Sequence, residues 1–140
     1  MRIQKVYLES SIFNFCFADD APDKRQDTWK LFEEIKERKY DPYTSFVTVD
    51  ELNKTKDSLK REKMLALINE YDIGILDDDA EADVLADDYV REGIIPIKYR
   101  DDALHIAVAT IAEMTHYFEL EFSTYRQTEN PQHGQRNQSP

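Results

Sequence analysis

Cysteine occurs once in the 140 residues, at Cys16. That excludes a disulfide framework and a cysteine-rich zinc site. Positive charge is scarce: 18 Lys and Arg stand against 29 Asp and Glu, a formal charge of −11. A broad basic face that grips phosphates by releasing counterions is therefore excluded. A role on nucleic acid would need a divalent cation or a basic partner to offset the acid. No apolar run approaches the ~20 residues of a membrane span, and the first residues lack the layout of a signal peptide. The expectation is a soluble cytoplasmic protein with no membrane role. Internal repeats are lacking too, and a chain of this length suits one domain and a tail, with enough buried surface to fold unaided.

The pattern that is present alternates strand-like and helix-like segments. Ile3–Leu8 (IQKVYL) alternates and then becomes apolar, which predicts a short strand. Pro22 to Lys39 predicts a helix, with Trp29, Phe32 and Ile35 at three-residue spacing, proline in the first turn and Asp23 behind it. After Pro42, Tyr43–Val49 is β-branched and aromatic, as a second strand would be. Leu59–Tyr71 predicts a helix, Ile73–Leu76 a third strand, and Ala82–Tyr89 a helix that stops at Gly93. Pro96 limits residues 94–97 to an edge strand or connector. From Asp102 to Met114 nearly every interior position is apolar, the mark of a helix buried on most sides. Strands alternating with helices predict a largely parallel sheet with helices on both faces.

The tail is different. Residues 126–140 contain none of Ala, Val, Ile, Leu, Met, Phe, Trp, Tyr or Cys. Such a segment cannot offset its ordering entropy, so disorder is expected. Residues 117–140 hold two basic and three acidic residues, so only −1 of the −11 lies there.

Most of the many carboxylates must be solvated surface, and those that could form a site lie where strands end or a buried helix begins. Glu9 follows Val6–Tyr7–Leu8; at the carboxyl edge of a parallel strand it would point into the crevice where α/β sheets bind ligands. An ordinary strand-end glutamate is the competing reading. Glu51 follows the second strand candidate, and a carboxylate complementing a helix dipole would explain it equally well. Asp101 and Asp102 open the buried helix, where an acid caps the helix or serves as a ligand on a rigid element. Three acids converging at one sheet edge would suit Mg²⁺ or Mn²⁺, which bind through carboxylates, water and phosphate oxygens. Such an ion activates water, neutralises phosphate charge and supplies the positive field that the chain lacks. His105 lies one turn beyond Asp102, where it faces the site or pairs with an acid in the core. Asp77–Asp79 could suggest a phosphoacceptor pocket, but a solvated helix start is the simpler reading. Cys16, between two phenylalanines, reads as core, since no base lies near it in sequence. His116 and His133 have no metal-ligand spacing with other residues.

Three motifs in order, YLESSIFNF, TSFVTVDELNK and KYRDDALHIAVAT, resemble PIN domains, in particular VapC-like toxins of bacterial toxin–antitoxin pairs. The resemblance runs from about Lys5 to Met114. It implies a three-layer α/β/α nuclease that cuts RNA using acids around Mg²⁺ or Mn²⁺, a small cognate antitoxin, and homodimers. Carried over by position, the acids are Glu9, Glu51 and Asp102, with Ser10 and Ser11 in the small polar positions after the first acid, and Asp101 and His105 beside the third. Glu9 departs from the family's usual aspartate, a longer arm for the same carboxylate. The function implied is a metal-dependent endoribonuclease. An alternative of another class is a non-catalytic module that binds an antitoxin-like partner or its own copy.

The family's fourth motif, an apolar strand followed by Asp or Asn, should come about fifteen residues after the DALHIA helix. This chain has YFELEFSTYRQTENP there instead. The expected organisation is an incomplete PIN-like domain over 1–116, its last strand missing, and an aberrant tail over 117–140. Synonymous codons for Tyr117–Asn130, read from the second base, translate to ISSWNFRHIVKLK, which resembles the missing motif and supplies its asparagine. The tryptophan requires Leu120 as TTG followed by G, and the codon of Glu121 begins with that G. A shifted reading frame from about residue 115 onward is therefore expected, and with it a weakly stable, poorly active protein. Sequencing the gene tests this: a one-base shift downstream of the Ile111 codon should restore SWNFRHIV or a near variant, and its absence would refute the idea.

Overall fold

A computed structural model describes residues 3–114 and the strand 116–118. Four parallel strands form one sheet in the order β3-β2-β1-β4. They are β1 (Gln4–Leu8), β2 (Tyr40–Ser45), β3 (Gly74–Leu76) and β4 (His116–Phe118). The helices are α1 (Ser10–Phe15), α2 (Pro22–Lys36), α3 (Phe46–Asn53), α4 (Ser58–Glu70), α5 (Ala80–Arg91) and α6 (Arg100–Ile111), with a 3₁₀ turn at Ile97–Tyr99 before α6. No helix among the described residues is long and apolar enough to cross a membrane.

The sheet is covered on both sides, which is why β1 ends as an unbroken apolar run. Val6 and Leu8 point into one core with Ile12 and Phe13 of α1, Phe32 and Ile35 of α2, Leu52 of α3, and Met64, Leu67 and Ile68 of α4. Tyr7 points the other way, into a second core with Ala82 and Ala86 of α5 and Ala103, Leu104, Ala107 and Val108 of α6. The result is the expected three-layer α/β/α arrangement. Small alanines let α5 and α6 lie close to each other and to the sheet. The first core is aromatic: Phe32 packs edge-on against Phe13 and Tyr71, at ring separations of 6.3 and 4.9 Å, and lies 5.7 Å from Trp29.

Two boundaries differ from the sequence pattern. The second strand does not run on to Val49; it starts at Tyr40 and gives way to α3 at Phe46. Ser45 causes the switch, because its hydroxyl accepts the Val47 amide and caps the helix. Glu51 therefore sits in the second turn of α3, and a role at the helix N-terminus does not apply. At the other end, the sheet extends three residues past Thr115: His116–Phe118 pairs with Val6–Leu8 of β1. The backbone groups on that edge of β1 are open to pairing, and Tyr117 and Phe118 are residue types that suit a strand. The last strand, expected to be missing, is therefore present over three residues, two of which fall in the expected tail of 117–140. Residues 119–140 of that tail lie outside the described residues, as does His133. Asp79 accepts the Glu81 amide and caps α5, so the Asp77–Asp79 run is a helix start.

Phe32 is fully buried at the meeting point of three aromatic rings. Phe32→Ala is expected to lower stability by about 3–5 kcal/mol, the usual cost of an aromatic-sized cavity, measured by urea unfolding followed by tryptophan fluorescence.

Candidate active site

The chain runs outward from β1 through β2 to β3, then crosses back to place β4 on the far side of β1. The strand order therefore reverses at β1, and its carboxyl end is the switch point where open α/β sheets form a crevice. Glu9 is the residue that follows β1. It caps α1, its Oε1 accepting the Ser11 amide at 2.9 Å, and it is 4% exposed. An ordinary surface glutamate is thus ruled out. α6 feeds β4, so it begins at the same edge and brings Asp102 there in its first turn. Tyr99 holds the cap position of α6 with no side-chain cap bond, so neither Asp101 nor Asp102 is the cap.

A cleft of about 380 Å³ lies at this edge, lined by Glu9, Ser10, Ser11, Asn14, Phe15, Tyr99 and Asp102. Four of the residues singled out from sequence are thereby brought together. Glu51 stands behind them: Ser10 Oγ donates to Glu51 Oε1 at 2.8 Å. Asp101 is exposed and does not line the cleft. Asn14, Phe15 and Tyr99 carried no chemical signal in sequence. Asn14 was nonetheless legible by position, one turn after Ser10, and its amide donates to the Ser10 carbonyl at 3.1 Å.

Behind Glu51 runs a buried chain of hydrogen bonds. His105 Nε2 lies 2.8 Å from Glu51 Oε1, His105 Nδ1 lies 2.6 Å from the Tyr7 hydroxyl, and that hydroxyl lies 2.6 Å from Ser45 Oγ. His105 and Tyr7 are at most 1% exposed. An ionised carboxylate only accepts, so Nε2 carries a hydrogen. With a neutral ring, Nδ1 must then accept from Tyr7, and the Tyr7 oxygen accepts from Ser45. With a protonated ring, Nδ1 donates to Tyr7 and the two hydroxyl hydrogens reverse. Burial raises the Tyr7 pKa well above its ordinary value, so the phenol keeps its proton. The core histidine reading of His105 is therefore correct, and its acid partner is the second candidate acid.

The pair is electrostatically matched. Burial alone would raise the Glu51 carboxyl, but the bond to His105, its charge, the Ser10 hydroxyl and Lys54 together hold it below its ordinary value. Burial alone would depress His105, yet Glu51 foremost, with Glu9 and Asp102, raises it. Cys16 is buried and pushed up to about 12 by desolvation, which leaves it inert as a nucleophile.

The donor set suits a hard cation. Glu9 and Asp102 offer carboxylates to one cleft, beside hydroxyl and amide groups, and Mg²⁺ is commonly held by one or two carboxylates plus water and phosphate oxygens. A cage of three acids is not assembled: among the described residues no three His, Cys, Asp or Glu side chains are grouped to hold a metal. Of the Glu51 carboxylate, Oε1 is taken by Ser10 and His105.

A raised histidine stabilises the fold fully below its ordinary 6.5 and loses that contribution as pH rises through its folded value. A lowered glutamate contributes above its ordinary 4.5 and loses it as pH falls through its folded value. The stability difference between the wild type and His105→Gln should therefore peak between about pH 4.5 and 6.5, read as melting temperature against pH. A flat difference across pH 4–8 would contradict the pairing.

Neither any protein-family model nor any curated protein sequence matches the chain. Among solved structures, it is similar to VapC20 (Rv2549c) of Mycobacterium tuberculosis, a toxin that cleaves the sarcin–ricin loop. The likeness covers 83% of this chain and 89% of that one, with a TM-score of 0.62 at 14% sequence identity. The chain has a VapC-like PIN fold.

Proposed function

We propose that the protein is a divalent-cation-dependent endoribonuclease of the VapC type. The observation that carries the reading is one cleft at the sheet's switch point, lined by the buried Glu9 and by Asp102. Its likeness to a ribonuclease toxin of the same fold supports RNA as substrate. Glu9 and Asp102 would hold Mg²⁺ or Mn²⁺, and Glu51 would support them from behind through Ser10. A bound ion supplies positive charge against the phosphodiester and acidifies water. The residues do the rest: α1 fixes Glu9 through the Ser11 amide, α6 fixes Asp102 on a rigid, buried helix, and Ser10 couples Glu51 to the cleft. A cognate antitoxin, a homodimer and a cytoplasmic setting belong to the same reading. So does impaired activity, because the segment after Phe118 lacks the polar residue of the fourth PIN motif.

The test uses purified full-length chain on a mixed RNA pool. Cleavage should require Mg²⁺ or Mn²⁺ and stop with a chelator. Glu9→Gln and Asp102→Asn should each lower the rate more than about 100-fold, beyond what loss of a supporting residue costs. Unchanged rates in both variants would refute the assignment.

A further inference from the structure

We propose that His105, oriented by Tyr7 and Ser45, is the positioning residue that holds Glu51 in place for a divalent cation at Glu9 and Asp102. The proposal deepens the cation reading above and rests on it. The geometry is a closed circuit. Ser45 caps α3, the helix that carries Glu51; the Ser45 hydroxyl meets Tyr7 of β1; Tyr7 meets His105 of α6; and His105 returns to Glu51. Three elements thereby fix one carboxylate.

A space-filling role does not account for this circuit. Tyr7 belongs to an apolar cluster with Ala82, Ala86, Ala103, Leu104, Ala107 and Val108 and packs edge-on against His105 at 5.7 Å. Phenylalanine at 7 and leucine at 105 would therefore fill both places without polar atoms. Each polar group placed there costs desolvation unless it is fully bonded. Here both ring nitrogens and the phenol are bonded at 2.6–2.8 Å, and on the far side of the His105 ring the chain of bonds leads to Glu51. A free glutamate side chain turns about three torsions. Two donors on Oε1 stop that turning and leave Oε2 as the oxygen engaged by neither. Ser10, which shares Oε1 with His105, lines the cleft, so the carboxylate set by His105 is one hydrogen bond from the place where the cation would sit.

The experiment is Mn²⁺ titration of the full chain without RNA, with free Mn²⁺ counted by electron paramagnetic resonance, alongside melting curves without cation. His105→Leu should weaken Mn²⁺ binding about tenfold or more, the usual cost of losing a residue that orients a ligand. His105→Gln, whose amide can donate to Glu51 and accept from Tyr7, should stay within about threefold of wild type, because the oriented bond survives. An unchanged His105→Leu, or a His105→Gln as weak as His105→Leu, would overturn the proposal. Should His105→Leu fail to melt cooperatively, Tyr7→Phe decides, since it removes one hydroxyl and keeps the ring. A loss of about threefold or more supports positioning, and none overturns it. Asp102→Asn separates the two levels. If it leaves Mn²⁺ binding intact, the cation reading itself falls and the positioning role with it. If it weakens binding while His105→Leu does not, only the positioning role falls.

Discussion

β1 is hydrogen-bonded on both edges, to β2 and β4, and covered on both faces by helices. Much else in the molecule depends on that position. A strand so enclosed must be apolar where it crosses the layers, and Val6, Tyr7 and Leu8 are each fully buried. Its alternation then decides which layer receives which side chain, so the one polar tip among Val6, Tyr7 and Leu8, the Tyr7 hydroxyl, is delivered to the α5–α6 side where it meets His105. Because the chain reverses direction of growth at this strand, its carboxyl end is the place where the edge of the sheet parts. Glu9 is buried there by the same packing, and its burial is tolerable because the α1 amide at Ser11 answers its carboxylate.

The layers were legible because they rest on periodicity. Alternation into an apolar run gave β1, three-residue spacing gave α2, and an alanine-rich stretch with few polar interruptions gave α6. Helix ends were harder to read. Gly93 stops α5 in a left-handed conformation, as glycine commonly does, but α2, α4 and α6 are followed by Arg38, Asp72 and Glu113 at positive φ. None of these types announces a stop, so a sequence pattern runs on to Lys39 and Met114. The same limit hid the β2–α3 junction: Phe46, Val47 and Val49 favour strands, and only the tertiary setting lets the Ser45 cap win.

The acids divide in the same way. Glu9 and Asp102 were legible because each sits at a junction that any parallel α/β topology carries to one edge. The state of Glu51 was not, because it depends on a partner 54 residues away. No local pattern relates His105 to Tyr7 and Ser45 either. The links cross between elements, and they become visible only when strand order and helix facing are known.

Charge limits what this edge can hold unaided. A phosphate about 5 Å from one carboxylate is repelled by roughly 3 kcal/mol at an effective dielectric near 20, and two carboxylates double that. The chain as a whole adds to the repulsion at −11. Salt weakens the distant part of this field within about 10 Å, but it does little for groups as close and as buried as Glu9. A cleft of this kind therefore cannot hold a phosphodiester by itself. Neutralising it with lysines would work for binding alone, yet the cleft is lined by two acids, three short polar side chains and two aromatics. Those groups attract a compact cation of high charge, and the cation in turn reverses the sign of the field that a phosphate meets. On the proposed reading, the ion is what reconciles the acidity of the site with a polyanionic substrate.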